Sequence, residues 1–85
     1  MASFTYALRR ADAECGSQMR NLGRQATAAA CAITAGPISG CTSFMHSSAY
    51  PQWGCRCCVS GRADGGRSHA LWDVYDVLDC SMAHV

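Results

Sequence analysis

The chain has no lysine, one glutamate and two prolines, and its charged residues make up only 15% of the whole. An ordinary soluble domain carries about 25%. Seven arginines against five aspartates and the glutamate leave a net charge of +1. So weak a field excludes a strongly basic nucleic-acid binder, and it equally excludes an acidic disordered tail. No apolar run approaches the roughly 18–20 residues of a membrane span, and Met1–Leu8 has no basic segment ahead of its apolar residues. Neither a membrane span nor a secretory leader is therefore expected in this chain. At 85 residues it is also too short for paired cofactor and substrate domains, a protein kinase or a closed α/β barrel.

Cysteine is what the chain has in abundance, with seven. A domain this small buries only roughly 60–65% of the surface its unfolded form exposes, so its core is marginal without help. Cysteine at this density usually forms a disulfide framework, which persists only in oxidising compartments. Each bridge contributes ~2–4 kcal/mol, comparable to the whole net stability of such a domain. The rival is a cytosolic zinc or copper site built from thiolates. Because the count is odd, at least one cysteine is free or paired with another chain. The expected location is extracellular or the lumen of an organelle, with this chain a mature form or fragment from which the leader is gone.

One domain is expected over 1–85, with its core at about 4–78, since no repeat or linker divides the chain. Phe4, Tyr6 and Leu8 alternate with Thr5 and Ala7, which predicts a strand. Arg9 to Arg24 is polar and contains glycine, so it is expected to be a long connection carrying Cys15. Thr27 to Ala35 predicts one short helix, with Thr27 as N-cap, alanines as helix formers and Gly36-Pro37 as the stop. Such a helix cannot stand alone and must be pinned by packing or by Cys31. Cys41 to Met45 and Cys55 to Val59 predict a hairpin around a turn at Ser47–Gly54, and Trp72 to Val77 predicts a final strand after a glycine-rich loop at Gly61–Ser68. The solution is α+β: a small antiparallel sheet with one short helix packed across it, stabilised by disulfides.

Three ordered features resemble the PAN/apple module as it occurs in algal and protist extracellular proteins. They are Thr27 followed by Cys31, Cys41-Thr42-Ser43-Phe44 closing on Gly54-Cys55-Arg56-Cys57, and Leu71-Trp72-Asp73-Val74-Tyr75. Ala13-Glu14-Cys15 and Leu22-Gly23 resemble the stretch before the family's helix, so the likeness spans about residues 4–78. The resemblance implies a non-catalytic module that binds protein or carbohydrate. One departure matters: the family's second helix cysteine is Ala35 here, so Cys41 needs another partner. In a strand Cys55 and Cys57 share a face while Cys58 points away, and Cys31 reaches only the helix side. The expected pairs are Cys31–Cys57, Cys41–Cys55 and Cys15–Cys58, with Cys80 left as a free thiol.

Chemistry-bearing residues are few. Cys55, Cys57, Cys58, Cys80, His69 and His84 are soft ligands in the second half, but Cys-x-Cys-Cys is not the paired spacing of a zinc finger. No acid, base and nucleophile stand together, and the histidines (His46, His69, His84) are expected in loops or near the terminus, so no enzyme activity and no cofactor are expected. Gly61 to Arg67 lacks the Gly-Lys-Ser/Thr ending of a phosphate loop and is expected to be a flexible connection. Arg9 and Arg10, with Arg20 and Arg24, are candidates for an anionic contact patch or a solvated face. Tyr50 and Trp53 at the hairpin turn are candidate binding contacts, because exposed aromatics at a loop tip favour recognition. The alternative for Trp53 is packing on the domain's own sheet. Three functions follow: a recognition module for protein or glycan, a structural accessory subunit of an extracellular filament or of a lumenal complex such as an algal photosystem, or a small zinc- or copper-binding protein.

Overall fold

The alternating strands, the alanine-rich helix and the hairpin assemble, in a computed structural model describing residues 4–79, into one antiparallel sheet with a helix across one face. The strands are β1 (Phe4–Arg10), β2 (Gln18–Asn21), β3 (Ser43–His46), β4 (Arg56–Cys58) and β5 (Asp73–Asp79), in spatial order β1-β5-β3-β4-β2. The expected α+β fold is the observed one. β3 lies at the centre, pairing Phe44 with Tyr75 of β5 and with Cys57 of β4. Side chains alternate across a strand, so Phe44, Tyr75 and Cys57 face the helix while Met45, Val74 and Cys58 face the other way.

The helix α1 runs Ala28–Ala35. Thr27 caps it, its Oγ1 accepting the Ala30 N–H at 3.1 Å. Thr27→Ala is expected to cost about 1 kcal/mol, read from a shifted urea midpoint with an unchanged slope. Gly36 ends the helix without left-handed backbone (φ −54°); it is needed because a side chain there would run into the Phe4 ring. Cys31, Ala32 and Ala35 are the face that α1 buries.

The opposite face is covered by two connections stitched together. Residues 12–17 and 59–72 exchange backbone hydrogen bonds, among them Ala13 N–H to Trp72 C=O (2.9 Å), Gly16 N–H to Arg62 C=O (2.8 Å) and Val59 N–H to Ser17 C=O (2.8 Å). The backbones approach so closely that a Cβ at Gly16 or Gly66 would strike a main-chain oxygen. The loop at Gly61–Ser68, expected to be a flexible connection, is thus tied down, with its own Ala63 buried against the sheet-side cluster.

Two further expectations are corrected. The supposed connection from Arg9 to Arg24 contains the end of β1 and all of β2, whose four residues are exposed and show no apolar alternation. β2 exists because it pairs with β4, not because of its own composition. His46, expected in a loop, is the last residue of β3 and wholly buried. Its Nε2 lies 2.7 Å from the Gln25 carbonyl, which only accepts, so Nε2 carries the proton and Nδ1 is left without a partner among the described residues.

Candidate functional site: an aromatic stack at the hairpin tip

Six cysteines are joined as Cys15–Cys58, Cys31–Cys55 and Cys41–Cys57. The two helix-side pairs are exchanged relative to the expected Cys31–Cys57 and Cys41–Cys55. The reason is hairpin direction. β3 and β4 are antiparallel, so the chain entering β3 lies beside the end of β4, and Cys41 meets Cys57. Cys55, before β4, is bonded instead to the segment leading into the helix, its N–H donating to Gly23 C=O (2.7 Å), which brings it under Cys31. Cys80 and His84 lie outside the described residues. Cys55, Cys57 and Cys58 are each bridged to a different partner, and among the described residues no three His, Cys, Asp or Glu side chains converge to hold a metal ion. Three bridges mark an oxidising compartment. Among the described residues no helix is long and apolar enough to cross a membrane.

The hairpin turn is built from the backbone up. Buried Ser47 accepts the Tyr50 N–H through its Oγ (3.1 Å), and Pro51–Trp53 then form one turn of 3-10 helix. The Trp53 N–H donates to Tyr50 C=O (2.9 Å), and Gly54 closes the turn at φ +99°, a left-handed angle that favours glycine. In a 3-10 turn residues three apart eclipse each other. Tyr50 and Trp53 consequently stack, with ring centroids 4.5 Å apart and planes within 14°.

The stack continues inward. Trp53 lies 5.5 Å from Trp72, whose other neighbour is the Arg56 guanidinium at 5.7 Å from the ring centroid, and His69 meets Trp53 edge-on at 6.1 Å. Arg56 is fixed by donating from Nε to Trp53 C=O (2.9 Å) and from Nη1 to Gln18 Oε1 (3.1 Å). The result is a graded column: Trp72 is buried, Trp53 is half-buried and Tyr50 is 40% exposed. Trp53 therefore packs on its own sheet, and Tyr50 is the aromatic turned to solvent. Trp72, Arg56 and His69 were not singled out from the sequence as members of this cluster. Their strand or loop positions carry no local mark of it, since only the fold brings them to the tip.

The arginines do not form one patch. Arg9 and Arg10 sit on β1 at one sheet edge, and Arg20 sits on β2 at the other. Arg9 is already engaged: Nε and Nη2 hold the Asp64 carboxylate at 3.0 and 2.7 Å, and Nη1 reaches both Asp76 oxygens at 3.2 Å. Ser43 Oγ also donates to Asp76 Oδ1 (2.8 Å). A depression of about 360 Å³ opens beside this network, but the charges lining it already face one another. The hydrogen bonds and charge of Arg9 hold the Asp64 carboxyl below its ordinary range. A depressed carboxyl contributes stability above its unfolded value and loses it as pH falls through the folded one. Asp64 is accordingly expected to titrate below a free aspartate by NMR, and Arg9→Gln to bring its midpoint back up.

No family model, curated protein or solved structure matches the chain at a significant level.

Proposed function

We propose that the chain is a non-catalytic, PAN/apple-like recognition module, working outside the cell or in an organelle lumen, whose hairpin tip contacts a glycan or protein partner. The observation that carries this reading is the Tyr50–Trp53 stack on a turn of a hairpin whose flanks are bridged at Cys41–Cys57 and Cys31–Cys55. A partly exposed ring with its orientation fixed in advance loses little freedom on binding. It also offers an apolar face with a polar hydroxyl at its edge, the amphipathic surface that suits a sugar ring or a loop of protein. Cys41–Cys57 holds the open end of the hairpin and Cys31–Cys55 ties the residue just after the turn to the helix, so the contact is built on rigid elements.

The test separates Tyr50 from its neighbour. Tyr50 is outermost, so Tyr50→Ala is expected to weaken binding on a printed array of neutral and acidic glycans at least about tenfold, or 1.4 kcal/mol. The melting temperature should fall by no more than about 5 °C, as for a change near 1 kcal/mol in a domain of this size. Equal binding by the two proteins would contradict the proposal. A second reading, a structural accessory subunit, is favoured by a different observation: β1 leaves Tyr6 39% and Leu8 58% exposed at the edge of the sheet.

A further inference from the structure

We propose that Asp64 is a modification site, where the chain isomerises to isoaspartate through a cyclic imide formed with Gly65, and that Arg9 holds the reaction back. The inference is independent of the hairpin tip and of any ligand.

Of the five aspartates only Asp64 is followed by glycine. The imide closes when the backbone nitrogen of the next residue attacks the side-chain carboxyl carbon, and a Cβ on that residue hinders the approach. Gly65 has none; it stands exposed at φ +89°, with open space where a Cβ would be. Its N–H has no hydrogen-bond partner among the described residues. The Asp64 side chain is 58% exposed, so water reaches the site. The reacting form is the carboxylic acid. The Gly65 nitrogen bonds to Asp64 Cγ, the C–OH bond breaks, and the hydroxyl leaves with the amide proton as water. Water then adds to the imide. Breaking the bond from nitrogen to Cγ restores aspartate. Breaking the other carbonyl–nitrogen bond leaves the chain running through Cβ and Cγ, with the former main-chain carbonyl a free carboxylate.

Arg9 opposes the first step. Its Nε and Nη2 hold both Asp64 oxygens, at 3.0 and 2.7 Å, which keeps the group ionised and fixes the direction in which it points. The same contacts hold the carboxyl below its ordinary range. The product has a structural consequence. The Asp64 carbonyl lies against Gly16, and the Arg62 and Arg67 carbonyls on either side accept the Gly16 and Glu14 N–H at 2.8 and 3.1 Å. An extra backbone carbon and a new charge at the Asp64 carbonyl break this close fit. Isomerisation therefore loosens the layer in which Ala63 packs with Cys15 and Trp72.

The experiment keeps the oxidised, full-length chain in heavy-oxygen water at neutral pH for several weeks. Each passage through the imide leaves one heavy oxygen at Asp64. After reduction, trypsin in ordinary water cuts after Arg62 and Arg67 and releases Ala63–Arg67, which holds no other aspartate. The wild type is expected to gain heavy oxygen in this peptide, with a second chromatographic form of equal mass growing as isoaspartate accumulates. Arg9→Gln is expected to react at least about threefold faster, with unchanged circular dichroism, since the Arg9 side chain is 39% exposed. Arg9→Lys, which keeps the charge but not the fork, should fall between the two. High salt screens an exposed pair, so it should speed the wild type toward the rate of Arg9→Gln. The proposal is overturned by a peptide that stays unlabelled, by labelling at Asp12, Asp73 or Asp76 ahead of Asp64, or by equal rates in the wild type and Arg9→Gln.

Discussion

Replacing Cys15 and Cys58 together by alanine is expected to lower the stability of the domain by about 4 kcal/mol, the largest loss of any single bridge. Cross-linking restricts the unfolded chain more as the enclosed loop lengthens, and the separations are 43 residues for Cys15–Cys58, 24 for Cys31–Cys55 and 16 for Cys41–Cys57. On the same chain-entropy estimate the other two contribute about 3.5 and 3 kcal/mol. Position adds to length here. Cys15–Cys58 is the one bridge on the face away from the helix, where it anchors residues 12–17 and with them the layer that covers Met45, Trp72 and Val74. A domain of this size has a net stability of only about 4–13 kcal/mol. Urea melts of the C15A/C58A protein should therefore show a transition displaced to low denaturant, or no folded baseline at all. Double substitution at Cys41 and Cys57 should leave a measurable cooperative transition.

The second large effect is expected at Phe44. Its ring is wholly buried at the centre of the sheet, stacked on Tyr75 with centroids 5.2 Å apart and met edge-on by Tyr6 at 6.5 Å. Phe44→Ala removes the middle of this cluster, and α1 cannot settle into the space because Cys31–Cys55 ties it to the hairpin. The expected cost is about 3–5 kcal/mol, the range for a buried aromatic with incomplete collapse. In a domain of this length that lowers the melting temperature by at least about 12 °C. Phe44→Leu keeps most of the volume and should cost less than about 1.5 kcal/mol. Equal losses for the two variants would mean that packing of this ring does not set the stability.

Much of this architecture was legible because its signals are local. Alternation in Phe4–Leu8 and Trp72–Val77, the Thr27 cap and the cysteine-bearing hairpin each carry their own pattern. β2 was not legible, since Gln18, Met19, Arg20 and Asn21 become a strand only through pairing with β4. The faces of Cys55, Cys57 and Cys58 followed from alternation, yet two of the bridges were exchanged. The needed signal was present: in an antiparallel hairpin the residue before the first strand meets the end of the second, which places Cys41 by Cys57. His46 was missed because its partner is a backbone carbonyl at Gln25, and no residue type announces that. At the candidate site the turn was readable from Tyr50-Pro51-Gln52-Trp53, whereas the degree of exposure was not. Trp72 arrives from just ahead of β5 and Arg56 from β4, and their contact with the turn half-buries Trp53 and leaves Tyr50 outermost. Arg9, Arg10 and Arg20 are close in sequence, but the strand order sends the first two and the third to opposite edges.

The central claim is that cysteine supplies, through three internal bridges, the stability that so small a core lacks, and that these bridges hold the hairpin presenting Tyr50. Its most direct test is mass-spectrometric mapping of the native, unreduced chain after digestion with thiols blocked. The expected result is three linked peptide pairs, Cys15–Cys58, Cys31–Cys55 and Cys41–Cys57, in a protein about 6 Da lighter than its reduced form from the two hydrogens lost per bridge. Blocked thiols at Cys55, Cys57 and Cys58 with retained zinc or copper would contradict it.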